Sequence, residues 1–386
     1  MILDNYHPIW ETEEHADLRE MAREFMANEI VPHHDRFAQN HQVDRELWNK
    51  AGENGLLLIS VPEEYGGGGA DFSHEAAILY EQGLATDDAW GFSIHSTIVA
   101  HYILVYGTEE QKQRWLPKMA TGELVAAIAM TEPTTGSDLQ AIRTNGTRDG
   151  DDLVINGSKT FITNGTQANL VVIVTRTNDQ PGAKGISLVV AEVDGLAGFE
   201  RGRVLEKLGS HGQDTRELSF SDMRVPAANI LGGDDGDGKG FAQLMQQLPQ
   251  ERLAVAITAV GSAETAVRQT IEYTKERKLF GQTVMDFQNT KFTLAECATD
   301  TLAAKTFIDY CIAEHDKGNL TNEQASAAKY WATDVQNSVL DRCLQLWGGY
   351  GFMMEYPIAR MYAGARVQQI YAGTNEVMKD LIARGF

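Results

Sequence analysis

Apolar positions change their period twice along the chain. Up to about residue 124 they recur at helical spacing, as Trp115, Leu116 and Met119 do in EEQKQRWLPKM. Thr108 is placed to N-cap that stretch, with Glu109 and Glu110 in its first turn. From Leu124 the apolar runs shorten to strand length: ELVAAIAMTEP, DGDDLVING, SKTFITNG, NLVVIVTRT and GISLVVAEVD. Asp149-Gly150, Asn156-Gly157 and Asn164-Gly165 read as turn dipeptides between strands. Beyond Gly240 the helical period returns, and Leu253, Ile257, Val260, Ala263, Val267 and Ile271 form one stripe. Pro249 suits the first turn of that helix. Two further long helices are expected near 284–316 and 321–346, and TNEVMKDLIAR forms a short last one.

This pattern predicts an α+β multidomain chain. It has an N-terminal helical domain (1–124), a central antiparallel β domain of barrel or sandwich type (125–235), and a C-terminal helical bundle (236–386). Gly66 to Gly69 read as a flexible connection between helices, and GGDDGDGKG, Gly232 to Gly240, as an acidic linker. The Asp spacing of the latter does not fit a calcium-binding EF-hand loop.

Composition narrows the function classes. Of 386 residues, 43% are hydrophobic and 23% charged, which suits a soluble globular chain. No apolar run approaches the roughly 18 residues a membrane span needs. The formal net charge of −21, with no Lys/Arg cluster, argues against nucleic acid as a partner. It also means that any anionic ligand must be met by local arginines and backbone N–H groups. The N-terminus lacks an apolar h-region and is too acidic for a transit peptide. Cys297, Cys311 and Cys343 fit neither a disulfide framework nor a metal site, and a cytoplasmic location is expected.

HExxH, GxSxG, the Walker P-loop and GxGxxG are all absent. The motif that can carry chemistry is AMTEPTTGSD, Ala129 to Asp138. A strand delivers the chain to a loop stiffened by Pro133. Gly136 permits close backbone approach, and Ser137 offers a hydroxyl and an N–H. On its own such a loop is usually a turn.

Taken in order, VPEEYGG, GTEEQKQRWLP, MTEPTTGSD, NGSKTFITNG, ERKLFG, LQLWGGYGF and IYAGTNE resemble the acyl-CoA dehydrogenase family over the whole chain. GFSIHS, LPQERL and AKYWA bring it nearest to the long-chain subgroup. The resemblance implies FAD between the β domain and the C-terminal bundle. Ile128, Met130, Thr131, Gly136 and Ser137 then face the flavin and pyrophosphate, and Phe161, Ile162 and Thr163 lie against the ring system. Many relatives carry Trp in place of Phe161, and Gly-Ala in place of Thr134-Thr135. Arg277, Phe280 and Gln288, with Gln345, Leu346, Trp347, Gly348 and Gly349, would hold the adenosine-diphosphate half of a neighbouring subunit's FAD. Thr374, Asn375 and Glu376 touch FAD again. A homotetramer built as a dimer of dimers follows from the same resemblance.

The implied reaction removes two hydrogens from carbons 2 and 3 of an acyl-CoA, long-chain or branched, and gives the trans-2-enoyl-CoA. Electrons pass to electron-transfer flavoprotein. Many relatives place the catalytic carboxylate in the IYxGT loop, where this chain has Ala372. The long-chain and isovaleryl branches carry it elsewhere, and LPQERL matches that pattern, which makes Glu251 the base. Ser137, Pro249, Gln250, Arg252, Ala372 and Gly373 are the implied substrate contacts, with the Ala372 N–H aimed at the thioester oxygen. Read from spacing alone, Glu251 is a first-turn glutamate serving the helix dipole. Glu376 is the rival carboxylate. Two alternatives use the same residues: an oxidase that returns electrons to oxygen, which would typically be longer, and a non-catalytic acyl-CoA-binding flavoprotein. Trp90, just before GFSIHS, is a candidate to shorten the acyl pocket.

Overall fold

The computed structural model describes residues 1–386. Six helices build the N-terminal part: α1 (Glu13–Phe25), α2 (His34–Asn40), α3 (Arg45–Glu53), α4 (Phe72–Leu84), α5 (Ala100–Tyr106) and α6 (Glu109–Ala120). A π-helical segment, Ser93–Val99, runs straight into α5. Thr108 caps α6 as the sequence predicts. Its hydroxyl accepts from the Gln111 N–H at 3.2 Å, and Gln111 Oε1 accepts from the Thr108 N–H at 3.0 Å. Gln111 also reaches out of the domain, donating to the Ile230 carbonyl at 2.7 Å.

The Gly66–Gly69 run is not a flexible connection. The N–H groups of Gly67, Gly68 and Gly69 donate to the carbonyls of Pro62, Leu58 and Val61. A Cβ on Gly67 would lie 2.1 Å from the Val61 carbonyl oxygen, so glycine is required by close packing.

Seven strands form one curled sheet: β1 (Ala126–Ala129), β2 (Asn145–Asp149), β3 (Asp152–Thr163), β4 (Leu170–Arg176), β5 (Ile186–Glu192), β6 (Phe199–Val204) and β7 (Thr215–Pro226). Their order is β1-β4-β2-β3-β7-β6, with β5 on β4. Most pairs are antiparallel as expected, but β2 meets β4 in parallel at Asn145 and Arg176, and β1 and β4 run parallel, Ala126 opposite Leu170. The long connection through β2 and β3 makes that pairing possible. Asp149-Gly150 closes the β2–β3 hairpin, and Asn164, at φ 62, ends β3. Asn156-Gly157 is not a turn. The strand runs through it with a register shift between Ile155 and Gly157, where a Cβ would fall 2.4 Å from Thr144 Oγ1.

The C-terminal part holds α7 (Gly240–Glu276), α8 (Gln288–Asp316), α9 (Asn322–Trp347), α10 (Pro357–Ala365) and α11 (Asn375–Ala383). A small hairpin, β8 (Lys278–Leu279) with β9 (Gln282–Thr283), follows α7. The sequence pattern did not predict α10. Pro249 lies well inside α7 and not in its first turn, because the helix already starts at Gly240. One core runs through both helical parts and the adjoining face of the sheet, with Trp48, Trp115, Ile257 and Val339 among its members. A smaller core, including Leu153, Ile173 and Phe220, lies on the other face. Trp90 belongs to the large core, packed against Phe25, Trp48 and Phe92, and not to an open pocket. No helix is long and apolar enough to cross a membrane.

Candidate active site

One turn of α7 carries three buried polar residues, each fastened to a different element. Gln250 Nε2 donates to the Thr97 carbonyl of the π-helical segment at 2.7 Å. Glu251 Oε1 accepts from the Tyr102 hydroxyl of α5 at 2.7 Å. Arg252 donates to Asn322 Oδ1 at 3.1 Å and to Ser326 Oγ at 3.4 Å, both on α9, and its Nε has no partner. Glu251 is only 6% exposed. Burial pushes its carboxyl up to about 7, against the opposing pull of the Tyr102 hydrogen bond and the Arg252 charge. The expected lowering by a helix N-terminus is absent, since Glu251 sits in the helix interior. A carboxyl held near neutrality in a buried site is suited to proton transfer.

The loop Ile370–Thr374 leads into α11. Ala372 takes the left-handed conformation at φ 54 and Gly373 follows at φ 92. Thr374 caps α11 by accepting from the Val377 N–H. The loop is tied to α9 by Lys329, whose Nζ donates to the Gly373 carbonyl at 2.8 Å and to Asn375 Oδ1 at 2.9 Å. Arg252 thus reaches the helix that carries Lys329, and its charge is felt at Lys329. Through α9 the structure links the Glu251 turn and the Ala372 loop. Glu376 differs from Glu251. It is exposed, and hydrogen bonds from its own N–H and from Thr374 hold its carboxyl below the ordinary range. It is a solvated carboxylate at a helix start.

The MTEP loop and the KTFIT part of β3 lie side by side. The Thr160 N–H donates to the Thr131 carbonyl at 2.9 Å. Buried Lys159 donates to the Met130 carbonyl at 2.9 Å and to Glu132 Oε1 at 3.0 Å. Glu132 in turn accepts from the N–H groups of Arg143 and Thr144, which fixes the far end of the loop. Gly136 and Ser137 are exposed, and only the Thr131 methyl approaches Gly136. Phe161 stands out from the sheet, 67% exposed, on a left-handed residue with φ 61. An open loop of glycine, serine and threonine beside an outward aromatic ring suits a flat group with a phosphate tail. The side chains of Ile128 and Ile162 point into the two cores, and both residues are paired within the sheet, opposite Val172 and Arg216.

A second group is gathered at the far end of α7. Arg277 lies over the Tyr350 ring at 5.3 Å, Phe280 is 95% exposed, and Gln288, Gln345, Gly348 and Gly349 are open to solvent. Trp347 turns inward instead, stacked on Tyr273 at 4.0 Å and donating to Thr270 Oγ1 at 3.0 Å. Within one chain no hydrogen bond or ion pair joins this group to the Met130–Thr163 group. Arg277 is exposed and pairs with no carboxylate, despite the excess of acidic residues in the chain. That leaves its guanidinium free for an anion.

Sequence reasoning missed Tyr102, Lys159 with Glu132, and Lys329. AKYWA and SKTFITNG contain the two lysines, but nothing in either stretch distinguishes a buried lysine from a solvated one.

The fold is thus helical–sheet–helical, and it holds a buried carboxyl on α7 apart from an open loop and an outward aromatic ring on the sheet. The chain matches the family models for the N-terminal, middle and C-terminal domains of acyl-CoA dehydrogenase over residues 12–123, 127–223 and 238–386. It is 48% identical to the long-chain specific acyl-CoA dehydrogenase, mitochondrial, of Sus scrofa over 373 residues, 96% of this chain and 86% of the relative. Among solved structures it is similar to an acyl-CoA dehydrogenase from Geobacillus kaustophilus. The TM-score there is 0.95 at 48% identity, covering 98% of this chain and 99% of the other. It is also similar to a glutaryl-CoA dehydrogenase from Mycobacterium smegmatis in complex with FADH2, at a TM-score of 0.90 and 25% identity over 97% and 95% of the two chains. The chain belongs to the acyl-CoA dehydrogenase family, and FAD is its cofactor.

Proposed function

We propose that this acyl-CoA dehydrogenase takes long-chain or branched acyl-CoA to the trans-2-enoyl-CoA with Glu251 as its base, and passes the electrons to electron-transfer flavoprotein. The observation that carries this reading is the pairing of a methyl group at position 372 with a buried glutamate on α7. Glu251 accepts the α proton through a carboxylate that Tyr102 orients. FAD, when bound, supplies the acceptor for the β hydride. The Ala372 N–H donates to the thioester oxygen as charge gathers on it, and Arg252 offers a fixed positive charge beside the base. Thr131, Gly136 and Ser137 cradle the cofactor's phosphates, with Phe161 against the ring system. Arg277 and the Gln345–Gly349 segment serve the FAD of a second copy, within a dimer-of-dimers tetramer. The length preference is supported by the 48% identity to proteins named as long-chain specific, and a cytoplasmic location by three unpaired cysteines.

The deciding experiment follows flavin bleaching by rapid anaerobic mixing with a panel of acyl-CoA lengths and branches, for the parent and Glu251→Gln. Bleaching by long or branched substrates, slowed strongly by the substitution, is the expected result. A near-normal Glu251→Gln rate would remove Glu251 from the role. Peroxide release on aerobic turnover, with no gain from an added acceptor, would point to an oxidase, and no bleaching by any acyl-CoA to a binding flavoprotein.

A further inference from the structure

The loop around Ala372 is suspended between two anchors. Upstream, the N–H groups of Ile370 and Tyr371 both donate to the Val367 carbonyl, at 2.8 and 3.0 Å. Downstream, Lys329 grips the Gly373 carbonyl and Asn375 Oδ1. Asn375 is itself fixed, its Nδ2 donating to Thr333 Oγ1 at 3.0 Å and Asp334 Oδ1 at 2.8 Å. Between the anchors Ala372 is held in a left-handed conformation that a residue with a Cβ disfavours. Its N–H has no acceptor anywhere in the chain.

Lys329 is an unusual way to hold a loop. Its side chain is fully buried, with no carboxylate within ion-pairing distance, and its ammonium is met only by neutral oxygens. Burial and the neighbouring Arg252 both work against its charge. An apolar side chain would pack there without that penalty. What it would lack is a directional hold on the Gly373 carbonyl, and hence on the peptide planes that aim the free Ala372 N–H.

We propose that Lys329 is a positioning residue for the acyl thioester: by clamping Gly373 and Asn375 it holds the Ala372 N–H where the thioester oxygen gathers charge. This rests on the proposed reading of Ala372 as an oxyanion donor. It acts through the loop, its ammonium being engaged by the Gly373 carbonyl and Asn375 Oδ1.

The test uses the FAD-loaded enzyme and a long-chain trans-2-enoyl-CoA labelled with carbon-13 at the thioester carbonyl. Infrared difference spectra give the carbonyl band of the bound ligand, which a strong N–H donor moves to lower wavenumber. Lys329→Met should return the band at least halfway to its position in water. It should also slow flavin reduction on the order of 10- to 10²-fold at saturating substrate, the usual effect of a small misplacement, while KM changes less than about threefold. Lys329→Gln, which keeps a donor, should fall between parent and Met variant. A Met variant with parental band and rate overturns the assignment. So does loss of FAD and fold in both variants, which would make Lys329 a folding residue. A parental enzyme with an unshifted band would instead remove Ala372 as the donor, and Glu251→Gln, which leaves the loop intact, tests the base separately.

Discussion

The Tyr102 hydroxyl donates to Glu251 Oε1 at 2.7 Å, across the packing of α5 on α7. The bond favours the carboxylate, while burial of both side chains favours the acid. Removing the donor alone leaves burial unopposed. Tyr102→Phe should therefore raise the midpoint of the pH–rate profile for flavin reduction. A hydrogen bond to a charged group contributes about 1.5 kcal/mol or more, which corresponds to roughly one pH unit. A Phe variant whose midpoint stays at the parental value would show that the bond does not tune the base.

The parental pH dependence has a definite sign. Glu251 accepts a proton only when ionised, and in the free protein its carboxyl titrates at about 7. kcat/KM should rise with pH through that region. Stability should move the other way. The folded value lies above the ordinary carboxylate value, so folding favours the protonated form. That contribution is complete below the ordinary value and is lost as pH rises through about 7. Denaturant titrations of the parent and Glu251→Gln at several pH values check this, the variant being the flatter.

Glu251→Gln keeps size and hydrogen bonding but cannot accept a proton. Flavin reduction should fall on the order of 10²–10⁴-fold, with FAD and acyl-CoA binding retained. Glu376→Gln should be far milder, because Glu376 is exposed and stands at a helix start. Adding Ala372→Glu to Glu251→Gln should restore part of the rate if both positions address one α carbon. Recovery should be incomplete, since about 1 Å of misplacement costs on the order of 10²-fold. Single-turnover bleaching reads every variant, and absence of rescue would break the equivalence of the two positions.

Lys159 and Glu132 are a buried ion pair at 3.0 Å that braces the MTEP loop against β3. Lys159→Met leaves Glu132 without its cation. Breaking one partner of a buried pair costs on the order of 3–5 kcal/mol. Chemical unfolding should show that loss, and FAD should dissociate more readily because the Met130 carbonyl is released. A variant of parental stability would mean that the N–H groups of Arg143 and Thr144 satisfy Glu132 unaided.

Arg277→Ala should weaken FAD retention without unfolding the chain, because the side chain is exposed and makes no ion pair. If it serves a neighbour's cofactor, FAD loss and subunit dissociation should occur together in ultracentrifugation with flavin absorbance. A monomer holding stoichiometric FAD would refute the coupling.

The three-part architecture, the capping of α6 by Thr108 and the long apolar stripe of α7 were written in the sequence, because each depends on residues a few positions apart. The family resemblance that the ordered motifs carry also pointed to Glu251 as the base in place of a carboxylate at Ala372, which spacing alone did not. What the sequence could not give depends on distant neighbours. Pro249 read as a helix start, yet the helix begins at Gly240, which removes the dipole effect and leaves burial to set the titration of Glu251. Asn156-Gly157 has the local chemistry of a turn, but pairing with β7 and contact with Thr144 keep it in a strand. The parallel β1–β4 pair, the inward packing of Trp90 and the hold of Lys329 on Gly373 all join segments far apart in the chain. A buried lysine and a solvated one are the same letter. Only the packing of α9 under the Ala372 loop decides that this one is enclosed, and so what its charge must do.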